Sequence, residues 1–139
     1  MKILLAVDGS PTTRRMLAYV AAHDEWLGVH HEYTVLHALP ALPRRAAAAL
    51  DKATVARYQA EAAEKVFKPV RTFFARQGLQ AKFVSRVGAP AEVVAAAAEA
   101  GQDLLMLGSH GHGNLANLLL GSVATGVLAR CRTPALLIR

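Results

Sequence analysis

Ile3-Leu4-Leu5-Ala6-Val7-Asp8-Gly9-Ser10-Pro11 is an apolar run that stops on a carboxylate, a glycine and a helix-starting pair. Consecutive apolar residues without polar alternation read as a strand covered on both faces, as in a parallel sheet. Ser10 suits a helix N-cap. Pro11 suits the first helical position, where the amide hydrogen that proline lacks would have no partner. Met16, Leu17, Val20 and Ala21 give an apolar face, so a helix is expected from Pro11 to about His23 or Leu27.

The same unit recurs downstream. Tyr33 to Leu39 reads as a second strand, stopped by Pro40 and Pro43. Apolar residues at steps of three or four then predict one long helix over 46–77. Pro69 cannot donate to the carbonyl of Lys65, so a kink or break is expected there. Gly78 is a natural stop. Ala81 to Val87 is a third strand, less apolar than the first and so expected near an edge. A helix from Ala91 to Ala100, a strand over 103–107, a helix opening at Gly121-Ser122 and ended by Thr133-Pro134, and a last strand Ala135 to Ile138 complete the order. That βαβαβαβαβ alternation predicts an α/β fold, a parallel sheet with helices on both faces. Ligands in such sheets bind beyond the carboxyl ends of the strands, where Asp8, Ala38, Val87-Gly88 and Gly108 stand here.

Composition sets the bounds. The chain has 139 residues, 53% of them hydrophobic, which suits a single domain over 1–139 with a substantial core. No apolar run reaches the ~18 residues of a membrane span, and the opening run is too short for a secretory signal. Cys131 is the sole cysteine, which excludes a disulfide framework and cysteine-based zinc or iron–sulfur sites. A cytoplasmic protein without membrane association is expected.

The formal charge of +6 is local. Residues 41–82 hold nine basic groups (Arg44, Arg45, Lys52, Arg57, Lys65, Lys68, Arg71, Arg76, Lys82) and three acids (Asp51, Glu61, Glu64), and the remaining residues balance. A solvated face, a docking surface for an acidic protein partner, and nucleic-acid binding are the three readings. The last is disfavoured, because no motif or aromatic platform accompanies the charge. Right-handed crossovers place this helix with the first one, opposite the helix after Ser122, and so away from a phosphate site.

Gly108-Ser109-His110-Gly111-His112-Gly113-Asn114 follows the fourth strand. Glycines let backbone amides turn toward an anion, and Gly121-Ser122 then opens a helix whose first amides favour phosphate. No lysine stands where a P-loop needs one, and the dinucleotide fingerprint is absent after the first strand. The loop is thus a phosphate site or a plain turn. Asp8 is a ligand contact or a turn and capping residue. His110 and His112 fall short of a metal set and read as loop histidines, so no metal site is expected. His37 reads as a satisfied core or pocket-edge group. No nucleophile triad or paired catalytic carboxylates emerge, so no catalytic residue is assigned.

Gly108-x-x-Gly111, nine residues, then Gly121-Ser122 resembles the glycine signature of the universal stress protein family. The likeness extends over Ile3 to Ser10, the second strand with His37, Val87-Gly88-x-Pro90, Leu118 to Val123 and Pro134 to Arg139. It implies strand order 3-2-1-4-5 and the ATP-binding subgroup, with ATP between strands one and four. By that resemblance Asp8 hydrogen-bonds the ribose or adenine side, with Ala6 and Val7 beside it, and Ala38 offers backbone groups to adenine. Gly108 and Gly111 line the ribose and phosphates, with His110 in the same loop. Gly121, Ser122, Val123 and Ala124 bind the outer phosphates. Family members often carry Val or Ile where this chain has Ala38, which implies looser adenine packing. Gly113 and Asn114 imply a more flexible loop without a cation, so that backbone dipoles, Mg²⁺ and the histidines would meet the phosphate charge.

The expected function is that of an ATP-binding, Mg²⁺-using regulatory module of the stress response. It is expected to form a homodimer through Ala135 to Ile138, an apolar edge that would otherwise invite aggregation. A slow ATP-hydrolysing or phosphotransfer enzyme, and a dimerising scaffold without nucleotide, are the alternatives.

Overall fold

A computed structural model describes residues 1–112 and 119–139. Residues 113–118, which include Gly113, Asn114 and Leu118 of the glycine motif, lie outside the described residues.

Five strands form one sheet: β1 (Lys2–Ala6), β2 (Glu32–Leu39), β3 (Ala81–Val87), β4 (Leu104–Gly108) and β5 (Ala135–Ile138). Their order is β3-β2-β1-β4-β5 and every pairing is parallel. The most apolar strands, β1 and β4, take the centre, as two-sided burial requires. The half-polar β3 takes an edge, as its composition suggested.

Side chains along β1 alternate between two helical layers. Ile3, Leu5 and Val7 pack with Met16 and Val20 of α1 (Pro11–Ala22) and with Phe67, Val70 and Phe74 of α4 (Lys52–Arg76). Leu4 packs on the other face with Val94 and Ala98 of α5 (Pro90–Glu99) and with Ala124 and Val127 of α6 (Ser122–Leu128). The long crossover helix therefore shares its layer with α1, as right-handed connections demand.

The first helix ends at Ala22, with His23 as its C-cap, at the nearer of the two expected limits, and a separate turn, α2 (Asp24–Leu27), follows His23. Three sequence expectations are corrected. The helix expected over 46–77 is two, α3 (Arg44–Ala49) and α4, parted at Leu50-Asp51. Leu50 is extended there, and Asp51 caps α4 by accepting the Thr54 amide at 2.7 Å. No break occurs at Pro69, since the buried Phe67 and Val70 on either side anchor both turns to the core. The last helix stops at Leu128, well before Thr133-Pro134. No described helix is long and apolar enough to cross a membrane.

Candidate functional site

β1 leads to β2 on one side of the sheet, while β4 and β5 lie on the other, so the chain order reverses between β1 and β4. A crevice opens there beyond the strand ends, as doubly wound sheets dictate. It has a volume of about 540 Å³. All eleven residues singled out in the sequence line it: Ala6, Val7, Asp8, Ala38, Gly108, His110, Gly111, Gly121, Ser122, Val123 and Ala124.

Asp8 is held by its own turn. Its Oδ1 accepts the Ser10 amide at 2.9 Å and the Thr13 hydroxyl at 3.0 Å. The same Thr13 oxygen accepts the Asp8 amide at 3.2 Å, closing a ring between backbone, hydroxyl and carboxylate. Asp8 is thus both a turn residue and a cleft residue. Ser10 occupies the N-cap position of α1, but its hydroxyl does not cap the helix, contrary to the sequence expectation. That hydroxyl is buried without a hydrogen bond among the described residues. Ser10, Thr12, Thr13 and Ser109 are the buried polar residues among those described, and all four line the crevice.

The glycine loop leaves β4 pressed against these groups. A Cβ on Gly108 would stand 2.6 Å from the Thr12 methyl, and one on Gly111 would stand 2.9 Å from Asp8 Oδ2. Side chains are therefore excluded by close approach, and Oδ2 is the carboxylate oxygen that meets the loop. His112 Nε2 donates to the Asp8 carbonyl at 2.6 Å. His110 Nδ1 lies 3.0 Å from the Ser109 hydroxyl. The Gly121 amide donates to the Ser109 carbonyl at 2.6 Å, so the two ends of the glycine motif are tied together. The first helical bond of α6 runs from the Thr125 amide to the Gly121 carbonyl. The amides of Ser122, Val123 and Ala124 accordingly have no intrahelical acceptor, and these residues face the crevice.

The opposite wall is apolar. Val7, Ala38, Leu39 and Pro40 contribute to it, together with Ala62 and Val66 of α4. His37 donates from Nδ1 to the Val7 carbonyl at 2.8 Å, and its ring meets Phe67 edge-on. It is the satisfied pocket-edge group that the sequence suggested. Thr12, Thr13, Ala62 and Val66 are wall residues that sequence reasoning did not assign to the site. The two α4 residues carried a signal only as apolar helix positions.

Asp8 is the one acidic side chain in this lining, and no lysine or arginine belongs to it among the described residues. The described residues form no group of three potential metal ligands. The cations of 41–82 stand clear of the crevice, as expected, because α4 turns only Ala62 and Val66 toward it.

The family model of the universal stress protein family matches residues 1–139. Universal stress protein MJ0577 of Methanocaldococcus jannaschii is 38% identical over 63 residues, a stretch covering 45% of this chain and 39% of that relative. The solved structure of MJ0577 superposes with a TM-score of 0.80 at 29% identity, covering 99% of this chain and 94% of that one. A universal stress protein in complex with cAMP gives a TM-score of 0.65 at 20% identity, covering 100% and 96%. The universal stress protein of Archaeoglobus fulgidus in complex with dAMP gives 0.66 at 21% identity, covering 100% and 98%.

Proposed function

We propose that this chain, which belongs to the universal stress protein family, binds ATP and acts as a nucleotide-responsive regulatory module. The observation that carries the reading is the division of the crevice. One wall is apolar, and the other is a glycine loop with three amides beside it that have no intrahelical acceptor. Asp8 Oδ2 stands between them, held in place through Oδ1 and without a hydrogen bond of its own among the described residues. A carboxylate oxygen so placed suits the paired hydroxyls of a ribose. The adenine nucleotides held by two of the related structures support the same reading.

ATP fits these residues as follows. Val7, Ala38, Leu39, Ala62 and Val66 would pack the base, Asp8 the ribose, and Gly108 to Gly111 the inner phosphates. Ser122, Val123 and Ala124 would donate amides to the outer phosphates. Mg²⁺ would arrive on the phosphates and neutralise part of their charge, because the chain supplies no set of metal ligands among the described residues.

Two interaction surfaces belong to the reading. Copies of the chain pair through the open edge of β5, where Ala135 is exposed. The cationic outer face of α3 and α4 receives an acidic protein.

Titration calorimetry with ATP and Mg²⁺, together with mass spectrometry of nucleotide released from the denatured purified protein, tests the reading. Saturable heat, or co-purified adenine nucleotide, supports it. Absence of both at millimolar ATP sinks it.

A further inference from the structure

Nucleotide phosphates bring several negative charges into a crevice that no lysine or arginine lines among the described residues. None occurs anywhere in the sequence from 108 to 124. The titratable side chains at its walls are Asp8 beyond β1, His37 on β2, and His110 and His112 on the glycine loop. The helices bring hydroxyls and apolar groups there: Thr12 and Thr13 from α1, Ala62 and Val66 from α4, Val94 from α5 and Ser122 from α6. Arg139, just beyond β5, lies with Arg15 in a separate groove against α1. His37 spends its Nδ1 hydrogen on the Val7 carbonyl and stacks edge-on to Phe67, on the apolar side.

The two loop imidazoles are placed to carry charge. A carbonyl only accepts, so the bond to Asp8 puts the His112 hydrogen on Nε2 and leaves Nδ1 to receive a second proton. The imidazolium would strengthen that bond. His110 faces a hydroxyl, which can accept from the ring as readily as donate to it.

We infer that the crevice takes up its nucleotide together with protons, held on His110 and His112 as the cations opposite the phosphates. The inference rests on the nucleotide reading and adds a specificity rule to it. Histidine gains its charge between about pH 8 and pH 5. Bound phosphate favours the charged ring and so raises its pKa in the complex. Affinity for a polyphosphate therefore rises as pH falls through the imidazole range, and binding consumes protons. A neutral nucleoside gains nothing from the same protonation. His112 is in addition a positioning residue, which holds the glycine loop on the end of β1.

Calorimetry with ATP and with adenosine, at about pH 6 and pH 8, in two buffers of different ionisation enthalpy, reads both consequences. The proteins compared are the wild type and the double variant His110→Gln/His112→Gln. Glutamine keeps an N–H donor for the Asp8 carbonyl but never charges. ATP's own terminal phosphate titrates in the same range, so the quantity that decides is the difference between the two proteins. For the wild type we expect ATP affinity to rise by about tenfold more than in the variant on going to pH 6, the equivalent of a one-unit displacement of an imidazole pKa. Proton uptake should accompany it, and adenosine affinity should change equally little with pH in the two proteins. Equal pH dependence of ATP binding in the two proteins, with adenosine still bound, overturns the proton coupling alone. Failure of both ligands to bind at either pH overturns the nucleotide reading itself.

Discussion

Thr13 and Asp8 hold each other through a single oxygen: the Thr13 hydroxyl donates to the Asp8 carboxylate at 3.0 Å and accepts the Asp8 amide at 3.2 Å. Thr13 is buried, so its loss cannot be made good by solvent. The Thr13→Val variant should lower stability by about 1–2 kcal/mol. It should also weaken ATP binding by freeing the carboxylate to turn. Thr13→Ser, which keeps the hydroxyl, should restore the ATP affinity. Denaturant melts read the first effect and calorimetry the second.

Gly111 tests the crevice more selectively. It is exposed, and a Cβ there would stand 2.9 Å from Asp8 Oδ2. Gly111→Val should therefore abolish measurable ATP binding while moving the melting temperature little. A variant that binds ATP as the wild type does would remove Oδ2 from the site.

Glu99 governs an acid-sensitive element of the fold. Its Oε1 accepts the amides of Arg132 at 2.6 Å and Thr133 at 3.1 Å, pinning the turn that leads into β5 to the end of α5. Those backbone bonds, with help from the Cys131 thiol, hold its carboxyl below the usual glutamate value. A lowered folded pKa means that the contribution is complete above the ordinary glutamate range and is lost as pH falls through the folded value. Glu99→Gln should thus melt below the wild type at pH 7, and the gap should close on acidification to about pH 3. A gap independent of pH would assign the effect to shape rather than charge.

The cationic layer should be separable from the crevice. Arg71 is a poor test residue, because it pairs with Glu64 at 3.1 Å and lies 4.2 Å over the Phe83 ring. Arg57, Lys65 and Lys68 are exposed on α4. Changing these three to Glu should leave ATP affinity within about twofold, since none of them lines the crevice and exposed charges are screened by salt. Binding of an acidic peptide such as poly-glutamate, measured by fluorescence anisotropy, should be lost in the same variant.

The sequence showed the strands and their alternation with helices plainly, because a buried parallel strand has almost no other reading. Alternation alone does not order the strands, and that order came with the glycine signature. The break at Leu50-Asp51 was hidden by the alanines before it, which prolong a helical pattern that Asp51 in fact restarts. At Pro69 the expectation weighed one missing hydrogen bond and could not see the core burial that outweighs it. In the crevice, residues near the strand ends were legible because the fold class brings those ends together. Ala62 and Val66 were not, since an apolar helical position looks the same whether it meets the core or a cavity. Nor can a pattern of residue types show that Thr12 and Thr13, in an opening helical turn, are buried.

The segregation of charge makes the molecule an electric dipole. Residues 41–82 carry the full excess of nine cations over three anions, and their helix α4 packs with α1 on one side of the sheet. On a cation-exchange resin or a mica surface the protein should therefore land on that side, with α5 and α6 turned to solvent. It would orient itself without a tag, and moderate salt would release it.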